Sequence, residues 1–311
     1  MRIFDSPNLN FIRWRWHALA LSVAIIATGI FTIVSRGGLP YGVDFSGGTV
    51  LVLKFQQPTS EEAVRAALPF AGQAVVQTYG VPADNEILVR LPLPSGSDDS
   101  AAVDAQATEV ETTLRAANIG TFTIESKEVV GPIIGEDLRR KGIWATIASL
   151  GGILGYIWFR FRLTFAVGAI VATLHDVLVT LVFLTWFEYD LSLNVVAALL
   201  TITGYSVNDT IVVFDRVREN QRSAKREPLE QVVNRSVNQT LSRTIITAGT
   251  TFLAVVSLFV FGGDVLEGLA FTLLVGIITG TYSTVFIASA IAIVLSPRPP
   301  EAATAARPRR V

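Results

Sequence analysis

The chain has 311 residues, half of them hydrophobic, a net charge of −1 at neutral pH and no cysteine. Only 16% of the residues are charged, and the mean hydropathy is +0.50. These values exclude an ordinary soluble domain and predict an integral membrane protein. The lack of cysteine excludes disulfides and thiolate chemistry.

Six apolar stretches are long enough to cross a bilayer, which takes about 20 residues for each helix. They lie at about 17–35, 143–159, 163–187, 191–214, 243–262 and 266–296. The first follows Arg13 and Arg15 and has no small-residue cleavage site, so we expect a retained helix and not a signal peptide.

The distribution of Lys and Arg predicts the orientation of these helices. Basic residues are concentrated before the first span, in the turn 160–162, in the segment 215–242 and in the tail 297–311. The other short connections, 188–190 and 262–267, contain acidic residues but no Lys or Arg. We therefore expect a multi-pass cell-membrane protein with both termini in the cytoplasm. Segment 1–35 is the N-terminus and first helix, 142–296 holds helices two to six with a cytoplasmic loop at 215–242, and 297–311 is a cytoplasmic tail.

The loop 215–242 contains apolar residues at near-helical spacing over 228–240. This spacing predicts an amphipathic helix lying on the membrane surface, in contact with anionic lipid headgroups. A simple solvated loop is the alternative.

Segment 36–141 is hydrophilic enough to fold in water on the outer side of the membrane. Its pattern predicts a strand at 49–55, a helix at 59–68, strands at 74–80 and 86–91, a helix at 97–118 and a strand at 121–130. This order is that of a ferredoxin-like α+β domain, a fold that assigns no function by itself. The segment has no cluster of metal ligands and no nucleophile beside a base, so a binding or lever-arm role is expected.

The stretch "YGVDFSGGT" (41–49) joins the first span to the first strand. Its two adjacent glycines predict a tight connector with unusual φ angles. A phosphate-binding loop is disfavoured because the glycine spacing differs and a strand follows the loop instead of a helix.

Ionisable residues inside spans are costly, at ~2.5–3.5 kcal/mol for a charge at the centre of a helix. Asp176 lies near the middle of the third span with His175 beside it. Adjacent residues are roughly 100° apart around a helix, so the two are not expected to share a face. A hydrogen bond that fixes helix packing and a functional role both remain open for Asp176.

Asp209 lies in the second half of the fourth span, beside a polar stripe that includes Tyr205 and Asn208. Arg243 and Thr247 begin a matching stripe in the fifth span. Asp209 and Arg243 are expected at similar depths in the membrane, which is compatible with an ion pair between them. A static pair and an arginine that extends to the interface are alternatives, but an aspartate that alternates between paired and protonated states is favoured. In the sixth span, Gly276–Gly280 predicts close helix contact.

Four stretches together resemble the SecF family. Members of this family are membrane subunits of the bacterial Sec protein-translocation machinery. They are "GVDFSGGT" (42–49), "LHDVL" (174–178), "GYSVNDTIVVFDRVREN" (204–220) and "NQTLSRTIITAGTT" (238–251). The resemblance covers the six-span layout with one large outer segment. It implies that the family's proton-site acid matches Asp209, with Asn208 beside it, and that its essential arginine matches Arg243.

The resemblance also implies the plan of half a resistance-nodulation-division transporter. The expected partners are SecD, separate or fused, the SecYEG channel, unfolded preprotein and membrane lipids, with no nucleic acid. The proton gradient is the implied energy source, and no cofactor or metal is expected. The chain is then not an enzyme but helps preproteins emerge from the channel.

Three alternative functions make different demands on the sequence. Half of a proton-coupled exporter would be expected to have larger outer domains than residues 36–141. An intramembrane aspartyl protease would need Asp176 and Asp209 at one depth, sharing a proton. A structural assembly factor would tolerate Asp209→Asn, whereas a proton carrier would not.

Overall fold

The computed structural model describes residues 7–68, 74–80, 82–93, 100–223 and 227–296. Within these ranges, six helices are long and apolar enough to cross a membrane, and a small α+β domain lies between the first and the second. The predicted fold class is confirmed. The predicted tail 297–311 and the predicted helix start at 97–99 lie outside the described residues.

The first membrane helix, α1 (Arg15–Ser35), follows one 3-10 turn and leads into the α+β domain. The elements of this domain are, in order, α2 (Val43–Ser46), β1 (Gly48–Phe55), α3 (Glu61–Ala67), β2 (Val75–Tyr79), β3 (Glu86–Leu91), α4 (Ser100–Ala116) and β4 (Phe122–Val130). The sheet order is β2-β3-β1-β4, and all neighbouring strands are antiparallel. This is the ferredoxin-like topology that the strand and helix order predicted.

The core of the α+β domain follows from alternation along its central strand. Leu51 and Leu53 project from one face of β1 and pack with Val64 of α3 and Leu114 of α4. Ser60 caps α3, because its hydroxyl accepts the backbone N–H three residues further on. The domain therefore has its own core, separate from that of the membrane helices.

The remaining membrane helices follow without a second domain in the described chain. They are α5 (Pro132–Arg160), α6 (Leu163–Trp186), α7 (Leu193–Ser223), α8 (Leu229–Phe261), α9 (Asp264–Ser283) and α10 (Ser289–Leu295), with a π-helical turn at Thr284–Ala288 joining the last two into one span. Helices α6 and α9 are the most buried, whereas α5 and α8 are mostly exposed.

Two glycines of α9 bring it into close contact with α7. A Cβ added to Gly276 would lie 2.1 Å from the nearest atom of Ile202, and one added to Gly280 would lie 3.0 Å from Cβ of Ser206. Only glycine allows this approach, so the small-residue contact predicted for the sixth span is confirmed.

The cytoplasmic side expected for 215–242 stays a prediction, but the separate surface helix predicted at 228–240 is wrong. Helix α7 continues to Ser223, and α8 begins at Leu229 and runs unbroken into its span. The apolar residues that suggested a membrane surface, Val232, Val233 and Val237, are buried in a core shared with the extension of α7. They pack on protein, so the segment is a helical extension that continues into the fifth membrane helix.

The connector before β1 requires its glycines. Gly47 and Gly48 have φ of +70° and +118°, and a Cβ on Gly48 would lie 2.3 Å from the carbonyl oxygen of Leu91. The predicted unusual backbone is confirmed, since a side chain at Gly48 would collide with β3.

The connector also binds the turn between α6 and α7. Gly42 N–H donates to the carbonyl of Leu191 across 2.9 Å, and Leu191 N–H donates to the carbonyl of Pro40 across 2.7 Å. Arg90 of β3 forms an ion pair with Asp190 in the same turn. The α+β domain is thus attached to the bundle at this turn as well as through α1 and α5.

Candidate functional site

Asp209 lies on α7 at its contact with α8. The hydroxyl of Thr244 donates to Oδ1 across 2.9 Å. Oδ2 is buried and has no hydrogen-bond partner in the described chain. A carboxyl with one bare oxygen among membrane helices is free to gain or lose a proton without breaking an existing bond.

The predicted Asp209–Arg243 ion pair is absent from this structure. In the described chain, no Arg243 nitrogen lies within 4.0 Å of the carboxylate, and Arg243 is exposed. Arg243 precedes Thr244, and neighbouring residues point about 100° apart around a helix. While Thr244 faces Asp209, the base of the Arg243 side chain is therefore directed elsewhere.

The other residues of the predicted polar stripes lie at the edge of the bundle. Asn208 and Thr247 are exposed, and the Thr247 hydroxyl donates to the carbonyl of Arg243 in its own helix. Tyr205 is partly buried and packs on a cluster formed by α8 and α9. The stripe on α7 thus brings Asp209 to Thr244 but leaves Asn208 on an open face.

Asp176 lies at the centre of the bundle and is fully buried, with 0% of its surface exposed. Its Oδ2 accepts hydrogen bonds from Ser206 across 2.5 Å and from Ser283 across 2.8 Å. One carboxyl therefore joins α6, α7 and α9, as the packing interpretation of Asp176 predicted.

His175 and Asp176 were predicted not to share a face, and they do contact different helices: His175 contacts α1, whereas Asp176 contacts α7 and α9. The two side chains nevertheless touch each other. His175 Nδ1 lies 3.0 Å from Asp176 Oδ1. The two residues leave the helix in different directions, but the imidazole turns back far enough to reach the neighbouring carboxyl.

A chain of polar contacts continues from His175 to α1 and α9, and the sequence interpretation missed it. His175 Nε2 lies 2.9 Å from Ser22 Oγ, which lies 3.2 Å from Tyr282 OH, and Tyr282 donates to the carbonyl of Ala18 across 2.7 Å. The available signal was Ser22, a hydroxyl within the apolar run "ALALSVAII".

The π-helical turn at Thr284–Ala288 begins one residue after Ser283. Thr284 Oγ1 contacts Thr210 Oγ1 across 2.8 Å, and the Ser289 hydroxyl bonds the carbonyl of Thr284 across 3.1 Å. Turns of this kind are rare and frequently lie at functional sites. Here the turn changes the register of the last span beside the Asp176 carboxyl.

The two intramembrane carboxyls belong to separate hydrogen-bond groups. Asp176 is bound by serines of α7 and α9, and Asp209 is bound by Thr244 of α8. They share no partner among the described residues, so the geometry does not support the paired carboxyls of an aspartyl protease.

Comparisons with known proteins give consistent matches. The family model described as "Protein export membrane protein SecD/SecF, C-terminal" matches residues 109–298, and the "SecD/SecF GG Motif" model matches residues 35–59. Protein translocase subunit SecF of Desulfurispirillum indicum is 43% identical over 93% of this chain and 92% of its own length. SecF of Rhodothermus marinus is 41% identical over 96% of both chains.

Among solved structures, the crystal structure of SecDF from Thermus matches with a TM-score of 0.83 and 36% identity, over 94% of this chain. SecDF in its super-membrane-facing form matches with a TM-score of 0.67. This chain spans 39% of each of those two longer chains.

Proposed function

Because the chain belongs to the SecD/SecF family of protein-export membrane proteins, we propose that it is an accessory subunit of the Sec translocase. In this role it acts with SecD and uses the proton gradient to assist preprotein export on the outer side of the membrane. Proton coupling rests on one observation: the Asp209 carboxyl has one bare oxygen and, among the described residues, no cation within 4.0 Å.

The coupling step is an exchange of partners at Asp209. A carboxyl among membrane helices with no cation beside it avoids the cost of a buried charge by holding a proton. Arg243 stays charged at all relevant pH values. A rotation of α8 by the angle between neighbouring residues would bring Arg243 to Asp209 in place of Thr244. The new ion pair would then displace the proton.

The movement reaches the α+β domain through the start of α7. The backbone N–H of Leu193, the first residue of α7, donates to Asp44 of the connector across 2.8 Å, and Arg90 holds the preceding turn at Asp190. A shift of α7 relative to α8 would pull on both contacts, so the domain acts as a lever arm.

A second helical subunit is needed to cover the open faces of α7 and α8. Thr201, Gly204 and Asn208 are exposed at helical spacing on α7, and a Cβ on Gly204 would meet nothing within 4 Å. Small and polar residues are typical of contacts between membrane helices. SecD is the expected partner here. The SecYEG channel and unfolded preprotein complete the assembly in the inner membrane, with both termini of this chain in the cytoplasm.

The two remaining alternatives are weaker. The curated relatives described above are named as translocase subunits, which disfavours half of a drug or lipid exporter. A purely structural assembly factor would leave the bare oxygen of Asp209 without a use.

The test is preprotein export into inverted membrane vesicles, with and without a proton gradient. Vesicles that contain SecD, the channel and this chain should show a greater response to the gradient than vesicles lacking this chain. An identical response would overturn the proposal. Co-purification of a SecD-like protein and the channel from native membranes tests the partners independently.

A further inference from the structure

We propose that His175 and Asp176 form a second proton-binding site, in which one proton is shared between Nδ1 and Oδ1 and sets the direction of the hydrogen bonds that join α6 to α1 and α9. The site is separate from Asp209 and does not require proton transport through the bundle. It therefore goes beyond the function proposed above, and its test does not depend on export.

Burial and charge are the first support. Asp176 is 0% exposed and His175 is 7% exposed. In the part of the chain that the structure describes, His175 Nδ1 is the only nitrogen of a basic side chain within 4.0 Å of the Asp176 carboxyl. With one shared proton the pair carries no net charge, whereas without it the pair would carry one net negative charge that neutral hydrogen bonds alone stabilise among the membrane helices.

Counting hydrogens along the polar chain shows that the shared proton is needed. Ala18 contributes a carbonyl oxygen, which can only accept, so the single hydrogen of Tyr282 points to Ala18. The contact of Ser22 with Tyr282 then needs the single hydrogen of Ser22. Ser22 has no hydrogen left for His175, so Nε2 must carry its own and donate it.

If Nε2 carries a hydrogen, the contact of the other ring nitrogen, Nδ1, with Asp176 needs a hydrogen of its own. Nδ1 is 3.0 Å from Oδ1 of Asp176, so a hydrogen must lie between them or two lone pairs would face each other. The two hydroxyls that donate to Oδ2 leave Oδ1 as the oxygen available to His175. The pair therefore holds one proton more than a neutral histidine and an ionised aspartate would.

Loss of the shared proton would break the chain of hydrogen bonds between Ser22 of α1 and Tyr282 of α9. The remaining ring hydrogen would move to Nδ1 to meet Oδ1, and Ser22 would turn its hydrogen to the bare Nε2. The contact between Ser22 and Tyr282 would then contain no hydrogen. Of the buried residues of α1, Ala18 and Ser22 belong to this chain of contacts, and Gly29 contacts Val182 nearer the α+β domain. Deprotonation would thus remove one of the two hydrogen bonds between α1 and Tyr282, while the bond to Ala18 and the ion pair of Arg15 with Glu230 remain.

Few other titratable groups face the pair. Helix α1 contributes Ser22 and, five residues earlier, the exposed His17, and α9 contributes Tyr282. Helix α7 contributes Ser206, with Asp209 three residues further on and bound to α8. Among the described residues, α5 and α10 make no hydrogen bond to either side chain of the pair. No competing cation therefore stabilises a bare Asp176 carboxylate.

The chain contains two histidines, His17 and His175, so histidine-selective ¹⁵N labelling gives a simple NMR spectrum. The full chain would be placed in lipid nanodiscs at pH 7.5, with His17→Gln to assign His175. We expect a directly bonded hydrogen on Nε2 of His175. An Nε2 without a hydrogen, with Nδ1 protonated, would overturn the proposal.

Raising the pH should remove the Nε2 hydrogen in the wild type. It should not do so in Asp176→Asn, because the amide can donate permanently to Nδ1. Equal pH responses in the two proteins would also count against the shared proton.

Amide hydrogen exchange of α1 supplies a second readout. Ser22→Ala should speed exchange over residues 17–25 by about tenfold, as expected for loss of a buried hydrogen-bond link. Thr28→Ala is the matched control, because its hydroxyl bonds only the carbonyls of Ala24 and Ile25 in its own helix. If both variants exchange alike, the hydrogen bonds of Ser22 do not hold α1, and the proposed chain of contacts is contradicted.

Discussion

Asp44 of the connector caps helix α7, because its Oδ2 accepts the backbone N–H of Leu193 across 2.8 Å. A carboxylate at a helix N-terminus is stabilised by the unpaired N–H groups and by the helix dipole. This hydrogen bond joins the α+β domain to the helix that carries Asp209, about 24 Å away for 16 residues at 1.5 Å each.

Removing this cap should loosen the attachment of the domain. Asp44→Ala is expected to lower the free energy of unfolding by about 0.5–2 kcal/mol, the usual value for loss of an N-cap. It should also speed amide hydrogen exchange at residues 191–195. Asp84→Ala changes an exposed aspartate of the same domain and should leave that exchange unchanged. Unchanged exchange in Asp44→Ala would mean that the backbone hydrogen bonds of Leu191 and the ion pair of Arg90 with Asp190 hold the turn without this cap.

The orientation of the chain can be read from single cysteines, since the protein has none of its own. Glu109 of α4 and Arg222 of α7 are both exposed. Cysteines at these two positions should react with a membrane-impermeant maleimide from opposite sides, Arg222→Cys from the cytoplasm. Labelling of both from one side would contradict the six-span topology.

Glycines of α7 and α9 should differ sharply in what they tolerate. Gly276→Val should prevent correct packing of α9, because even a Cβ would overlap Ile202. Gly204→Ala should fold normally, since a Cβ there meets nothing within 4 Å. Thermal melts of the detergent-solubilised proteins would show the difference in stability.

If Gly204→Ala also weakens co-purification of SecD, the open face of α7 is the partner contact.

The α+β domain should fold alone as residues 45–135, because it has its own core, and should become less stable in acid. The side-chain and backbone hydrogen bonds from Thr78, both 2.7 Å long, lower the pKa of Glu61. A lowered pKa contributes stability that is complete above the unfolded value and is lost as the pH falls through the folded value.

Glu61→Gln should therefore reduce the melting temperature at pH 7 and weaken its fall below about pH 4.5, near the ordinary glutamate pKa. Glu62→Gln, at an exposed position in the same turn, is the control. A fragment without a cooperative melt would contradict independent folding.

Local patterns in the sequence predicted most of the fold. Alternating residues such as Leu51 and Leu53 identified β1, and Ser60 identified the start of α3. The pattern failed at 228–240, because Val232 and Val237 would look the same whether they faced lipid or a neighbouring helix. Only the folded structure shows that α7 extends far enough to cover them.

The candidate site was only partly predictable for a similar reason. Asp176 and Asp209 stand out as acids in apolar stretches, but their partners are ordinary hydroxyls such as Ser22 and Thr244. Depth along two helices suggested that Arg243 could reach Asp209. It did not establish the rotation of α8, which directs Thr244 to the carboxyl instead.

The central claim is that Asp209 binds and releases a proton during export, and it is tested by gradient-dependent export with Asp209→Asn. The amide keeps the shape and the hydrogen bond with Thr244 but cannot titrate. Inverted vesicles containing this variant, SecD and the channel should assemble normally yet show no added response to the proton gradient from this subunit. A response equal to that of the wild type would contradict the account and leave Asp209 a structural residue.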